Sequence, residues 1–90
     1  MTTRYVRAPR VLHRNAGPDV VALLPGLSDV HLLAGPAAVM WDLLAEEIAL
    51  GDLVDEVAQL YARPTQEIAP SLESCLQDLA HLGLLEERSE

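Results

Sequence analysis

Residues 28–47 read SDVHLLAGPAAVMWDLLAEE, and the hydrophobic period changes halfway along them. Up to Leu33 the stretch suits a short strand, with Val30 and Leu32 pointing to one face and His31 and Leu33 to the other because strand side chains alternate. Gly35-Pro36 then breaks the strand, and Pro36 favours the first position of a helix, where a missing N–H leaves no intrahelical bond unmade. Ala37, Met40, Trp41 and Leu44 follow at helical spacing, with Val39 and Leu43 widening the stripe. One face of the sheet therefore needs helices to cover it.

On the N-terminal side, Val20-Val21-Ala22-Leu23-Leu24 is a compact β-prone run that reads as a central strand. The turn formers of residues 25–29 connect it to the strand ending at Leu33, which returns antiparallel. Asn15-Ala16-Gly17-Pro18-Asp19 is a second turn cluster. Before it, residues 10–14 suit a short edge-like strand, with Pro9 limiting pairing on one side. The three strands form a meander, and the last has no further strand in the sequence to cover its outer edge. An open edge is a liability unless something uses it.

On the C-terminal side, Leu50, Leu53, Val54, Val57, Leu60 and Tyr61 recur at helical spacing, while Asp52, Asp55, Glu56 and Gln59 fill the opposite face. This second helix ends before Pro64. Pro70 would lack a hydrogen bond inside a helix, so the spacing predicts a turn over residues 65–69 and a third helix starting at Pro70. Leu72, Leu76, Leu79 and Leu82 form its stripe, and Gly83 supplies the C-terminal cap before Leu84 and Leu85 fold back. Residues 86–90 are expected to fray.

Ninety residues, 50% of them hydrophobic, allow one small domain with a thin core. Trp41, Tyr5 and Tyr61 are the only aromatics among Phe, Trp and Tyr, so Leu, Val, Ile and Ala must build that core. A formal net charge of -8 argues against nucleic acid, whose binding rests on Lys and Arg displacing counterions. Arg4, Arg7, Arg10 and Arg14 gather near the N-terminus, and Glu46, Glu47, Asp52, Asp55, Glu56, Glu67, Glu73 and Asp78 acidify the rest. The single cysteine excludes an intrachain disulfide and suits a reducing compartment. With no leader-like segment and no apolar run long enough to span a bilayer, the chain reads as cytoplasmic.

Nothing in the pattern points to catalysis. His13, His31 and His81 fall on different elements without metal-ligand spacing. Cys75 has Glu73 and Asp78 nearby, which raise a thiol pKa rather than activate it. Gly26, Gly35 and Gly51 are isolated, so no phosphate-cradling loop exists. Trp41 on an internal stripe reads as core, although its indole N–H wants a partner.

In sum of order, three short strands lead into LAGPAAVMWDLLAE (33–46), LGDLVDEVAQLYA (50–62) and EIAPSLESCLQDLAHLGLLE (67–86). This succession resembles the PqqD-like family of peptide-recognition domains, also called RiPP recognition elements, from pathways of ribosomally made, modified peptides. The resemblance covers about residues 9–86 and is most specific at residues 35–44 and 79–86. Ala49 stands where the family usually has a Thr or Ser cap, and Pro64-Thr65 and the additional Pro70 replace its usual Asp/Ser-Pro start of the third helix.

The resemblance implies an α+β, winged helix-turn-helix-like fold, a three-stranded antiparallel sheet followed by three helices, as a single domain over residues 1–90. It implies a non-catalytic role without cofactors or metal: the leader segment of a precursor peptide adds as a fourth strand beside the third strand and lies against the third helix. Carried onto this chain, the strand contribution falls on Val30, His31, Leu32 and Leu33. The helix contribution falls on Leu72, Cys75, Leu76 and Leu79 as pocket walls, with Glu73 and Asp78 facing a basic leader residue. Partners in the family include radical S-adenosylmethionine enzymes, leader peptidases and lasso-peptide cyclases, and neither nucleic acid nor membrane is expected. The open edge also suits a weak homodimer in the absence of peptide. The alternative is a winged-helix transcriptional regulator, which would need a basic recognition helix where residues 70–82 have none.

Overall fold

The computed structural model describes residues 3–26 and 29–89. Six strands and three helices run β1 (Thr3–Arg7), β2 (Leu12–Ala16), β3 (Asp19–Leu23), β4 (His31–Leu33), α1 (Pro36–Leu43), β5 (Ile48–Ala49), α2 (Leu50–Tyr61), α3 (Thr65–His81) and β6 (Leu85–Ser89). They make two antiparallel sheets, ordered β2-β3-β4 and β5-β1-β6, around one helical core.

The first sheet is the expected meander, shifted slightly in sequence. Its first strand is Leu12–Ala16 rather than residues 10–14, and every residue of it is exposed. Ala16 pairs with Asp19 across Gly17-Pro18, with Gly17 at φ +65°. A two-residue loop with a left-handed glycine first and a proline second is a type II′ turn, whose twist matches the flanking strands. Alternation puts Val20 and Ala22 of β3 and Leu33 of β4 against the helices. Val30 precedes β4 rather than belonging to it, and Leu27 and Ser28 of the connecting turn lie outside the described residues.

The second sheet overturns the expectation that the C-terminus frays. β6 pairs with β1 from Thr3↔Ser89 to Arg7↔Leu85. Tyr5 and Leu85 are buried on its inner side. On the outer side Arg88 bonds Glu47 at 2.8 Å and Glu86 at 3.0 Å, and Arg4 reaches Glu47 at 3.7 Å. A polar tail is thus held by buried Tyr5 and Leu85 on its inner side and by ion pairs on its outer side.

Arg7 joins the two sheets to α1. Its backbone N–H donates to the Leu44 carbonyl at 3.0 Å and its Nε–H to the Trp41 carbonyl at 2.8 Å. The guanidinium lies 5.0 Å from the centre of the Trp41 ring, and the His13 ring of β2 meets that indole edge-on at 5.7 Å. Burial pulls the Arg7 pKa down, and Asp42, 3.7 Å away, opposes that pull.

The helices follow their stripes with three corrections. Leu53, Val54 and Val57 of α2 are buried, but Leu60 and Tyr61, expected on the same stripe, are 63% and 40% exposed, because the core line passes through Ala58 instead. In α3 Leu72, Leu76 and Leu79 are buried, whereas Leu82 is the C-cap and 42% exposed. The helix begins at Thr65, not at Pro70, and carries Pro70 in its interior. Packing of Ile68 and Ala69 against the core keeps the first turns helical despite the bond that Pro70 cannot make. Neither α2, after Ala49, nor α3, after Pro64, has a side-chain N-cap hydrogen bond.

Both long helices end in the same double-bonded cap. At α3 the Gly83 N–H donates to the Ala80 carbonyl and the Leu84 N–H to the Leu79 carbonyl, both at 3.0 Å. At α2 the same pattern runs from Ala62 to Gln59 and from Arg63 to Ala58, but the left-handed residue is Ala62, at φ +53°. Replacing it with glycine relieves the Cβ clash. Ala62→Gly is expected to raise the unfolding free energy by about 0.5–1 kcal/mol, after allowing for glycine's extra freedom when unfolded, as read by urea denaturation.

Candidate functional site

β4 pairs with β3 through Val20↔Leu33, Val21↔Leu32 and Ala22↔His31, and among the described residues nothing pairs with its other side. Unmade backbone donors and acceptors therefore line that edge. Leu33 is buried and His31 half-buried, while Leu32 and Val30 stand 64% and 60% exposed. The strand is pinned from below and bare at its side.

The rotation of α3 decides what this edge faces. At 100° per residue, with Leu72, Leu76 and Leu79 toward the core, one flank carries Ile68, Ser71, Cys75, Asp78 and Leu82. The other carries Ala69, Glu73, Gln77 and Ala80. Two observations assign the flanks. A pocket of about 250 Å³ is lined by Pro36, Tyr61, Ile68, Ser71 and Leu72, which places the Ile68 flank at the end of β4, three residues before Pro36. Glu73, by contrast, acts with Glu87 of β6 on Tyr5, whose phenol burial, as the larger cause, and these two carboxylates push up.

The C-terminal half of α3 is located as well. A Cβ on Gly83 would come within 3.1 Å of Leu24 Cδ1, so the end of β3 sits at the end of α3. Since β4 is antiparallel to β3, it runs back from that end toward Pro36, whose pocket Ile68 and Ser71 line.

Of the helix residues singled out from sequence, Leu72, Leu76 and Leu79 are buried, Cys75 is half-buried and Asp78 is exposed, the last two on the flank of Ile68. Glu73 is turned to the other flank. Burial, and secondly Asp78, push the Cys75 thiol up, the opposite of what a nucleophile needs. Among the described residues no group of three His, Cys, Asp or Glu side chains is arranged to hold a metal ion. The exposed Arg63–Glu67 ion pair, at 3.0 Å, borders the pocket below Pro36, so its charges are already matched.

Residues 11–85 match the family described as coenzyme PQQ synthesis protein D. The chain belongs to the PqqD family. The fold agrees: a solved structure of TbiB1 in complex with the TbiA(β) leader peptide superposes with a TM-score of 0.83, covering 94% of this chain and 99% of that one at 22% identity. Among curated proteins none is significantly similar in sequence. The PqqD match spans the meander, all three helices and the first residue of β6, and the remaining β6 residues and β1 lie outside it.

Pro36, Tyr61, Ile68 and Ser71 were not singled out from sequence. Starting the third helix at Pro70 removed Ile68 from it. Ile68, Leu72, Cys75 and Leu79 stand at i, i+4, i+7 and i+11, a helical spacing that would have found the flank had the helix been extended back to Thr65.

Proposed function

We propose that this PqqD-family protein binds the leader segment of a ribosomally made precursor peptide, without catalysing a reaction itself, and presents it to a modifying enzyme. The observation that carries this reading is the edge of β4 left unpaired among the described residues, on the strand that leads into Pro36 and the pocket that Pro36 shares with Ile68 and Ser71. An extended peptide added there gains main-chain hydrogen bonds, each worth about 0.5–1.5 kcal/mol net, and alternate side chains enter the groove for selectivity.

In this arrangement His31, Leu32 and Leu33 supply the backbone, and Val30 flanks it. Leu72, Cys75, Leu76 and Leu79 form the floor, joined by Ile68 and Ser71. Asp78 is the carboxylate placed to meet a basic leader residue. The partner enzyme is of the kind that acts on leader-bearing substrates: a radical S-adenosylmethionine enzyme, a leader peptidase or a lasso-peptide cyclase. The free thiol of Cys75 suits action in a reducing cytoplasm. No helix among the described residues is long and apolar enough to cross a membrane.

DNA recognition has little support here. α3 carries Glu67, Glu73 and Asp78 and neither Lys nor Arg, so a helix laid in the major groove would meet phosphates with like charge.

The reading is tested by fluorescence polarisation with labelled leader segments of precursor peptides encoded beside this protein, each against its scrambled version. Saturable binding of one leader and not of its scramble is expected. Equal binding of both, or none, would reject the function. Within the groove, Cys75→Arg places a long cation on the half-buried flank and is expected to weaken leader binding about tenfold or more, with helicity by circular dichroism unchanged. Unchanged affinity in a folded variant would show that the peptide does not pass over Cys75.

A further inference from the structure

Each sheet leaves a strand edge unpaired among the described residues, and the function proposed above uses only that of β4. The second edge is β6. It pairs with β1 along its full length, and among the described residues nothing pairs with its outer side. At five residues it is longer than β4, which has three.

Alternation divides its side chains. Leu85 and Glu87 share the face of Tyr5 and Arg7, toward the helices, and Glu86 and Arg88 share the opposite face with Val6 and Arg4. Between β6 and the Glu73–Gln77 flank of α3 lies a groove of about 290 Å³, lined by Gln77, Ala80, His81 and Glu87. Its charge is one-sided. On the outer face the cations are matched, Arg88 by Glu47 and Glu86, and Arg4 by Glu47. On the groove face neither Glu73 nor Glu87 has an ion-pair partner among the described residues, and both raise the pKa of the Tyr5 phenol between them.

We infer that the β6 edge and the Glu73–Gln77 flank of α3 form a second docking groove, which takes an extended basic segment of a partner protein by strand addition. The backbone of β6 offers unmade donors and acceptors to a strand of any sequence. The charge selects which sequence. Glu73 and Glu87 attract Lys or Arg side chains on the inward face of the added strand, no Lys or Arg lines the groove to repel them, and the net charge of -8 steers a basic partner toward the surface. Because β4 and β6 are edges of two different sheets, a leader on β4 and a partner on β6 can be held together. The second groove does not depend on the first being a leader site.

Amide hydrogen exchange of the intact chain by NMR tests this, with a short synthetic peptide alternating lysine and valine as probe and its glutamate-for-lysine version as control. The lysine peptide is expected to slow exchange at those Leu85–Ser89 amides that do not bond to β1, and the glutamate peptide to leave them unchanged. Glu87→Lys should weaken the effect roughly fivefold or more, the scale of reversing one partly screened charge contact. Glu87→Gln should weaken it less, and both variants should retain the leader affinity of the parent. Slowing confined to His31–Leu33, equal slowing by both peptides, or slowing indifferent to residue 87 would each overturn the inference. Glu87 would then act only as a guard against unwanted pairing.

Discussion

Leu32→Pro should abolish leader binding while leaving the helices in place. Leu32 is the middle residue of β4, paired with Val21 and exposed on the sheet's outer face, so its side chain contributes little to the core. Its backbone is what the strand needs. Proline removes the N–H and fixes φ near the polyproline value. If that N–H bonds to β3, the pairing that holds β4 in place is lost; if it points outward, the bond to an added peptide is lost. Either way the edge stops being a template.

An affinity loss of about a hundredfold or more is expected for Leu32→Pro, equivalent to about 2.7 kcal/mol or two backbone hydrogen bonds. Leu32→Thr keeps the N–H and the β-propensity, and should bind within about threefold of the parent, the scale of half a kcal/mol. Fluorescence polarisation reads both variants, with circular dichroism confirming that helical content is kept. A folded Leu32→Pro protein that binds leader normally would move the peptide away from β4 altogether.

The contrast between the two edges shows what a sequence makes legible. The meander announces itself locally: the Gly17-Pro18 turn, the Val20-Val21-Ala22-Leu23 run and the Gly35-Pro36 break each lie within a few residues of what they organise. β6 announces nothing. Glu86, Glu87, Arg88 and Ser89 read as a solvated tail, and become a strand only because β1, at the other end of the chain, offers Thr3 to Ser89 and Arg7 to Leu85. A pairing of that separation leaves no trace in the local period.

The candidate site was legible on its strand side and only partly on its helix side. Strand alternation needs only the identity of the edge, and Leu33 is buried and Leu32 bare as alternation requires. The helix side needed a rotation and a start. Pro70 argued locally for a late start, tertiary packing of Ile68 overrode it, and Ile68 lines the pocket beside Pro36 as a result. Glu73 and Asp78 look equivalent in sequence, yet five residues are about 500°, or about 140° beyond one full turn, so they fall on different flanks. The pocket that Ile68 and Ser71 share with Pro36, and the one that Gln77 and Ala80 share with Glu87, tell which flank is which.

Trp41→Ala is expected to be the most destabilising single truncation, at about 3–5 kcal/mol, enough to unfold a domain of this size at ordinary temperature. The indole is fully buried, and it is where three segments meet. Arg7 of β1 lies over its face, His13 of β2 meets it edge-on, and α1 carries it. Removing the ring leaves a cavity and also takes away the surface on which the Arg7 guanidinium rests, although the Trp41 backbone carbonyl would still accept its Nε–H. Trp41→Phe separates the ring from its polar atom. The Trp41 Nε1 is buried with no hydrogen-bond partner among the described residues. An unmatched buried donor costs about 1–3 kcal/mol. Phenylalanine loses ring volume but also that unmatched donor, so its net cost should stay within about 1.5 kcal/mol. Urea denaturation followed by far-UV circular dichroism measures both. If Trp41→Phe proves as damaging as Trp41→Ala, the indole N–H is bonded and the contact with Arg7 is not the main anchor. If Trp41→Ala folds with near-parent stability, the junction of β1, β2 and α1 is held by the Arg7 backbone bond to Leu44 and the rest of the core instead.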